Sequence, residues 1–450
     1  MAPHLLSCCF KQKPHKVISD DDDAPSSPFP HPVFSGSENI IAVLKDATGF
    51  SVLALEETEH DDQTIYKITQ TKTSRVPDAV KPLVIAECPV HLRPSASHHI
   101  HIVVSTKSGI CRASAFNSQA VTPLLRLLQS YGSPAAGFNT LITDSATSIK
   151  HFATHALTSP GQTHTVLLLS GDGGTIDLLN AIGAASPSAQ TTTIAMLPLG
   201  TGNALFHSLH RPLYTNEAQR PLVLGLRTLI HGAARALPVF RADFSPGAEV
   251  VGFAESQNRM AERPVEHLYG AIVASHGLHA SIVYESDTPE YRKHGDKRFG
   301  MVAGELVKLN HAYTARVAVS RPGGNGSLEQ LKNSEYGYIL ATMVSSLEKS
   351  FTISPASKPC DGKLRLVSFA PVGEARTMDI MMAAYNNGAH VDLPDVDYQE
   401  INNLKVTVSG SDERWRKFCI DGTIVSVPEG GWMTVKPVEH SPLKVLAMAT

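Results

Sequence analysis

A glycine-rich turn with one acidic side chain follows an apolar segment of the chain. Residues 166–170 read Val-Leu-Leu-Leu-Ser, and Gly171, Asp172, Gly173 and Gly174 come directly after them. Glycines let backbone N–H groups approach an anion closely, and a helix that begins there adds partial positive charge. A carboxylate at Asp172 would repel a phosphate unless it held Mg²⁺ or acted as a base. The alternative is that Asp172 only caps the helix that follows it.

A second glycine turn follows about 30 residues later, which is the length of one βαβ unit. The apolar residues 194–197 lead into Gly200, Thr201, Gly202 and Asn203, and both Thr201 and Asn203 can hydrogen-bond a phosphate or an adenine. Open α/β sheets bind their ligands at the C-terminal ends of the strands. Two such turns at one sheet edge predict an anion-binding site, with Asp172 as its catalytic residue.

Strand-like and helix-like segments alternate around these turns. The strands are predicted at 101–104, 138–143, 165–169 and 193–197, and the helices at 120–131, 146–157 and 176–182. This alternation predicts an α/β nucleotide-binding lobe over 98–237, a parallel sheet with helices on both faces. Strand-like runs from 239 onward predict a mainly antiparallel β-sandwich lobe over 238–450. Residues 38–97 suit a small β-rich subdomain, and residues 1–37 suit a disordered tail.

Composition and charge exclude several classes of protein. The 450 residues carry a net charge of −3, which gives no electrostatic case for nucleic acid. Six cysteines without metal-ligand spacing argue against a zinc site or disulfides and favour a cytoplasmic protein. No apolar run approaches the roughly 20 residues of a spanning helix, so we expect peripheral membrane contact. Cys8 and Cys9, beside basic residues, suit palmitoylation; the alternative is a tail that happens to carry two thiols.

The motifs together resemble the catalytic domain of diacylglycerol, ceramide and sphingosine kinases, and the pattern is most similar to the sphingosine (long-chain base) kinases. The resemblance rests on 170–173 with Asp177, on 198–203, on 285–299 and on Asp421-Gly422. It covers roughly residues 100 to 440. It implies a two-lobed lipid kinase that transfers the γ-phosphate of ATP to a lipid hydroxyl. It also implies Mg²⁺ as a cofactor, but the residues that bind this ion are not assigned.

The resemblance also implies roles for individual residues. Asp172 is expected to be the general base or to orient the lipid hydroxyl, while Asp177 and Ser281 are expected on the lipid side. The nucleotide is expected to contact Ser105, Lys107, Gly109, Arg112, Thr143, Ser170, Gly171, Gly173, Gly200, Thr201, Gly202, Asn203, Arg292, Arg298 and Asp421. Two arginines six residues apart in a polar loop also make a reasonable anion clamp, because a guanidinium can meet a phosphate through two hydrogen bonds. Without the resemblance, the alternative is a solvated polar face.

Several positions depart from the family's pattern. Ser105 replaces an asparagine of the nucleotide loop, Asp177 shortens the usual glutamate, and Thr423 replaces a glutamate near the catalytic aspartate. Ser281 takes the place of the aspartate that binds the sphingosine amine. An ammonium group would lose its ion pair there, which favours a neutral lipid.

The predicted acceptor is a sphingoid base or a related sphingolipid, with diacylglycerol or ceramide as alternatives. Two other functions stay open: a soluble-substrate kinase with a similar Gly-Asp-Gly turn, such as an NAD kinase or a phosphofructokinase, and a catalytically weak or inactive member that binds lipid or nucleotide. Thr423 and Ser105 support the latter. His98, His99 and His101 could form a metal cluster, but a surface position at the start of a strand is the stronger prediction. The oligomeric state and the membrane visited stay open.

Overall fold

The computed structural model describes residues 37–61, 63–131, 137–185, 192–214, 219–252, 263–295 and 297–449. The predicted tail, with Cys8 and Cys9, lies outside these residues apart from its last position. Among the helices within the described ranges, none has the length and apolar character needed to cross a bilayer.

The first structural unit is a small sheet that precedes the α/β lobe. Its strands run in the order β3-β2-β1-β4, with β4 parallel to β1 and the others antiparallel. Buried side chains of this sheet, such as Leu53 and Leu55, share one apolar cluster with Phe116 and Leu124 of the α/β lobe. The sheet is therefore packed onto that lobe. Its strands are β1 (Ile40–Lys45), β2 (Phe50–His60), β3 (Gln63–Thr73) and β4 (Val84–Ile85).

The α/β lobe has the strand–helix alternation that the sequence predicts. Its helices are α1 (Ala113–Phe116), α2 (Thr122–Gln129), α3 (Ser148–Ala156), α4 (Asp172–Ala185), α5 (Ala204–His210) and α6 (Pro221–His231). A π-helical turn, Asn117–Val121, joins α1 to α2. Its strands are β5 (His98–Val104), β6 (Asn139–Ile142), β7 (Thr163–Ser170), β8 (Thr192–Pro198) and β9 (Ala233–Ala236).

The second lobe contains both strands and helices. Its helices are α7 (Leu278–Ser286), α8 (Pro289–Arg292), α9 (Lys297–Leu309) and α10 (Glu374–Tyr385). Its strands are β10 (Phe240–Phe244), β11 (Glu249–Val251), β12 (Arg263–Pro264), β13 (His267–Gly270), β14 (Val273–Gly277), β15 (Tyr313–Ser320), β16 (Glu329–Gln330), β17 (Glu335–Tyr336), β18 (Tyr338–Thr342), β19 (Leu364–Phe369), β20 (Asp397–Ile401), β21 (Asn403–Val408), β22 (Lys417–Ile420), β23 (Thr423–Ser426) and β24 (Trp432–Pro437), followed by β25 (Leu443–Ala447).

The sheet of the α/β lobe has the order β6-β5-β7-β8-β25-β9. Its continuous apolar strands are buried on both faces, as expected for a parallel sheet. Along β7, Val166 and Leu168 face one cluster, which includes α4 and parts of the second lobe, while Leu167 and Leu169 face the cluster of α2 and α6. Only one of these faces therefore leads towards the second lobe.

The last strand, β25, returns from the second lobe and lies parallel to β8. This placement crosses the predicted boundary between 98–237 and 238–450, and the domain division as a whole stays a prediction. The second lobe itself is a pair of antiparallel sheets, ordered β13-β10-β24-β21-β15-β16 and β12-β11-β23-β22-β14-β18-β19-β20. They enclose an apolar core that includes Phe240, Val317, Leu366 and Phe418. The predicted fold class is confirmed.

Two details of the second lobe differ from the prediction. A single strand was expected over 268–274, but the structure breaks it into β13 and β14. The break falls where the backbone N–H groups of Ala271 and Ile272 bond to the carboxylate of Asp421. Helices α7, α9 and α10 were not predicted, because their apolar residues also fit short strand-like runs.

One histidine of β5 differs from the prediction of a surface position, whereas His98 and His99, at the start of the strand, are partly exposed. His101 is 5% exposed, and its Nε2 lies 3.1 Å from Nδ1 of His164 on β7. Burial, together with the neighbouring imidazoles, lowers the pKa of both histidines to about 4. Within the described ranges, no group of three or more His, Cys, Asp or Glu side chains could hold a metal ion.

These two histidines should therefore make the fold less stable as the pH falls from 6.5 towards 4. The folded pKa of these histidines lies below the ordinary 6.5, so the unfolded chain binds more protons between pH 6.5 and 4, and stability falls as pH decreases through that window. Urea unfolding at pH 7.5, 6 and 5 should show this loss in the wild type and in His155→Gln, whose side chain is exposed. His164→Gln should give a shallower pH dependence, and a slope equal to that of wild type would contradict the assignment.

Candidate active site

The two glycine turns touch each other at the C-terminal ends of β7 and β8. A Cβ atom added to Gly200 would lie 2.3 Å from the Cα of Gly171, and one added to Gly171 would lie 2.9 Å from the Cα of Gly200. The N–H of Leu199 also donates to the carbonyl of Ser170 at 3.1 Å. No side chain larger than hydrogen fits either position, so the glycines are required by close backbone approach.

Asn203 closes the second turn on itself. Its backbone has a left-handed φ of 54°, and its Oδ1 accepts from the N–H of Gly200 at 3.0 Å while Nδ2 donates to the Gly200 carbonyl at 2.9 Å. Its side-chain amide therefore holds the turn. Thr201 is exposed and Gly202 is half-buried beside it, so the outer surface of this turn faces solvent.

Asp172 links the two turns through backbone hydrogen bonds. It begins α4, and its Oδ2 and Oδ1 accept from the N–H groups of Ala204 at 2.7 Å and Leu205 at 3.1 Å. The sequence alternative was a cap on its own helix; instead Asp172 caps α5, the helix that follows the second turn. Burial raises the pKa of Asp172, and the two N–H bonds oppose that rise.

A second carboxylate, that of Asp421, lies close enough to Asp172 for the two charges to interact. Asp421 and Gly422 have φ values of 47° and 93° and form the two-residue turn between the paired residues Ile420 and Thr423. Asp-Gly is a preferred sequence for such a hairpin turn. The turn aims the Asp421 carboxylate at the second lobe's broken strand, between β13 and β14.

Asp421 is held by three consecutive backbone N–H groups. Oδ2 accepts from Ala271 at 2.6 Å, and Oδ1 accepts from Ile272 at 3.1 Å and Val273 at 2.5 Å. Burial raises its pKa to about 7, the N–H bonds oppose that rise, and the charge of Asp172 adds to it. Two carboxylates in one partly dry site cannot both stay ionised at low cost unless a cation joins them.

The predicted nucleotide loop packs against both glycine turns. The Oγ of Ser108 lies 2.7 Å from that of Ser105 and 3.2 Å from that of Ser170. Gly109 has a φ of +53°, and a Cβ there would lie 2.5 Å from the carbonyl oxygen of Leu199. Ser105, Gly109 and Ser170 therefore come together, as the sequence predicted.

Thr143 fixes the start of this loop. Its Oγ1 accepts from the N–H of Thr106 at 3.1 Å, and its carbonyl accepts from the Thr106 hydroxyl at 2.9 Å. Lys107 is exposed on the same loop. Arg112, at the end of the loop, points towards the N-terminal sheet, where a nitrogen of its guanidinium lies 3.6 Å from Oε1 of Glu59.

The two arginines of the predicted anion clamp lie on helices of the second lobe, where a polar loop was expected. Arg292 ends α8 and holds Asp287 through Nε at 3.1 Å and a terminal nitrogen at 2.7 Å, while Arg298 in α9 reaches the same carboxylate at 3.4 Å. Sequence reasoning missed Asp287. Its position five residues before Arg292 was the available signal.

The two residues expected on the lipid side lie apart from each other. Asp177, in α4, is half-buried and pairs with Nζ of Lys150 at 3.2 Å; burial raises the pKa of Asp177 and the lysine opposes that rise. Ser281, in α7, is buried and accepts a hydrogen bond of 2.9 Å from the hydroxyl of Tyr313. The side chain of Ser281 therefore contacts a second neutral hydroxyl group, that of Tyr313.

A cleft and a small, mostly apolar cavity lie on either side of α5. Asp172 lines the cleft together with Ser170, Gly171 and Asn203. The cavity is partly open to solvent and runs between α5 and the second lobe. Leu205 and Ala271 line it, and their N–H groups are also partners of Asp172 and Asp421. The cavity therefore begins next to both carboxylates.

A comparison with known protein families finds a match over the α/β lobe. Residues 99–240 match the family model described as the diacylglycerol kinase catalytic domain. That segment holds the nucleotide loop, both glycine turns and Asp172, whereas Asp421, Ser281 and the arginine pair lie beyond it. The sequence resemblance to this catalytic domain is confirmed; the similarity to sphingosine kinases in particular stays a prediction. No curated protein matches the chain in sequence.

Solved structures share the two-lobed fold. Two from Bacillus anthracis str. Sterne are each described as "a putative diacylglycerol kinase". One has a TM-score of 0.52 at 13% identity, covering 78% of this chain and 95% of that chain. The other has a TM-score of 0.52 at 12% identity, covering 79% and 98%. At this identity the likeness concerns the fold.

The contact between the turns predicts opposite effects for two glycine substitutions. Gly200→Ala should lower the free energy of unfolding by about 1–3 kcal/mol, because a methyl group cannot fit against Gly171. Gly173→Ala, in the first turn of α4 with nothing within 4 Å of an added Cβ, should leave stability unchanged or raise it by about 0.5–1 kcal/mol. Urea unfolding measures both. Equal stability of the two variants would show that the turns do not touch.

Proposed function

We propose that the protein is an ATP-dependent lipid kinase that transfers the γ-phosphate of ATP to a lipid hydroxyl. The observation that carries the proposal is the pair of touching glycine turns with Asp172 between them, next to an apolar cavity. The match of residues 99–240 to a diacylglycerol kinase catalytic domain supports it independently. The turns bind the phosphates, and the cavity takes the acceptor.

Phosphoryl transfer depends mainly on positioning and on neutralisation of charge. As the lipid oxygen attacks the γ-phosphorus, its proton passes to the Asp172 carboxylate, and the bond from phosphorus to the ADP oxygen breaks. Burial raises the pKa of Asp172, which makes it a stronger base. Its two bonds to α5 fix its direction, so that the acceptor hydroxyl meets a preformed geometry.

The residues present suit Mg²⁺ bound together with nucleotide. No set of three or more acidic, Cys or His ligands was found in the described part of the chain, and Mg²⁺ in nucleotide sites needs only one or two carboxylates, with phosphates and water completing its shell. Asp421, whose charge interacts with that of Asp172, would hold it together with the nucleotide phosphates. When bound, the ion supplies positive charge to the phosphate oxygens.

The apolar lining of the cavity supports a lipid acceptor. Leu205, Leu209, Leu237, Met343 and Val344 lie on its walls, and Lys358 is the charged side chain that joins them. Apolar walls favour a hydrocarbon chain. By similarity of the motifs to sphingosine kinases, a sphingoid base or a related sphingolipid is the first candidate.

A neutral lipid alcohol, such as diacylglycerol or ceramide, is the second candidate, and a specific contact favours it. By the resemblance, Ser281 stands at the position of the aspartate that binds the sphingosine amine, and its partner is the neutral hydroxyl of Tyr313. Lys358 at the cavity adds positive charge, which opposes a cationic lipid. An acceptor panel that includes all three lipids therefore separates the candidates.

Radiolabelled ATP, Mg²⁺ and detergent-dispersed sphingosine, ceramide or diacylglycerol should give label in a phospholipid product. Asp172→Asn should lower the rate at least about 100-fold, because it removes the base. Asp379→Asn, the same change at an exposed position of α10, should leave the rate within about twofold of wild type. The measurement is extraction and chromatography of the organic phase.

Other outcomes assign the protein differently. Label that appears only in water-soluble products indicates a kinase for soluble substrates. Nucleotide binding without any labelled product indicates a catalytically inactive member. Unaltered turnover in Asp172→Asn would exclude the proposed role of that carboxylate. The urea midpoint of Asp172→Asn, compared with that of Asp379→Asn, shows whether a lost rate reflects lost folding.

A further inference from the structure

The hairpin of β2 and β3 presents one polar face towards the nucleotide loop. In the antiparallel register, Glu57 pairs with Tyr66 and Glu59 pairs with Thr64. Residues directly opposite each other point to the same face of a sheet, as do residues two apart on one strand. These four side chains therefore share a face. This hairpin precedes the segment that matches a catalytic domain.

That face meets the helical segment that begins directly after the nucleotide loop. Oε1 of Glu59 accepts from the Thr64 hydroxyl at 2.7 Å and lies 3.6 Å from the Arg112 guanidinium. The ring of Tyr66 packs edge-on against Phe116 with centroids 4.9 Å apart. Three residues contact this face of the hairpin: Arg112, Phe116 and Gln119. They are spaced four and three residues apart, which places them on one side of a helix.

The third contact is a hydrogen bond between the β2–β3 hairpin and the helical segment. The N–H of Tyr66, on β3, donates to Oε1 of Gln119 at 2.8 Å, which satisfies a backbone donor of the hairpin. Tyr66 is buried, so this end of the interface is rigid, while the Glu59–Arg112 end is exposed. The hairpin thus holds the helical segment at Phe116. It also contacts Arg112, directly before that helix, through an ion pair with Glu59.

The loop that ends at Arg112 is the one that packs on both glycine turns. Gly109 contacts the backbone of Leu199 and Gly200, and Ser108 contacts Ser170. Arg112 follows Gly109 by three residues, so the hairpin contacts the chain close to the point where the loop meets the second glycine turn.

We propose that Glu59 is a positioning residue for ATP, acting through Arg112 and the loop 105–112. The inference rests on the proposed function, in that it takes the loop to be the nucleotide loop. The guanidinium of Arg112 points towards the hairpin, so the ion pair acts on nucleotide binding through the backbone of the loop. An exposed ion pair contributes little to folding, and its effect is therefore expected in nucleotide binding.

A double-mutant cycle on the full chain tests the proposal. The variants are Glu59→Gln, Arg112→Gln and both together, with Glu56→Gln as the matched control on the opposite face of β2. Glu59→Gln should raise the KM and the Kd for ATP about threefold and leave kcat unchanged, as expected for loss of an exposed charge pair. In the Arg112→Gln background it should have no further effect, because Glu59 acts through Arg112. Glu56→Gln should match wild type.

Two readouts keep this test separate from the test of lipid phosphorylation. ATP titration without lipid gives the Kd directly, and amide hydrogen exchange of residues 105–112 without nucleotide reports the position of the loop. Glu59→Gln should speed that exchange, and Glu56→Gln should not. Tighter ATP binding in Glu59→Gln, additive effects in the cycle or unchanged exchange would each overturn the proposal. Absence of a phospholipid product with these Kd and exchange results intact would instead overturn only the proposed function.

Discussion

The arrangement of the site depends on backbone contact between two glycines. Gly171 and Gly200 approach so closely that neither position has room for a Cβ atom. This contact brings the ends of β7 and β8 together and directs α4 and α5 away from a common point. Asp172 then completes the arrangement, because its carboxylate satisfies two N–H groups at the start of α5 that have no partner within that helix.

Each helix that leaves a glycine turn is also fastened to the second lobe by a reciprocal pair of hydrogen bonds. In α4, Asn180 accepts from the N–H of Tyr269 and donates to its carbonyl, both at 2.9 Å. In α5, Ser208 bonds in the same two-way manner with the backbone of Ser346 at 3.0 Å. The Asp172 carboxylate and the apolar cavity therefore have a fixed relation. Strand β25 adds a covalent return from the second lobe to the first sheet.

The sequence was sufficient to predict the α/β lobe, because its signals are local. Apolar runs such as 166–169 need burial on both faces, and glycines directly after them mark the sheet edge. Contacts between residues that are far apart in the sequence could not be predicted. Asp421 bonds to N–H groups about 150 residues away, and that bond splits β13 from β14. The ion pairs of Arg292 and Arg298 with Asp287 and of Arg112 with Glu59 likewise depend on how helices and hairpins pack. Ser105, Gly109 and Thr143 came together with the glycine turns, whereas their assigned contacts with nucleotide stay predictions.

The most direct test of the account is a crystal structure of the protein with a non-hydrolysable ATP analogue and Mg²⁺. The account predicts that the triphosphate lies against the backbone of 170–173 and 199–203, with its terminal phosphorus facing Asp172. It also predicts that the apolar cavity beside α5 opens towards that phosphorus. A nucleotide bound elsewhere, or a triphosphate that makes no contact with either glycine turn, would contradict it.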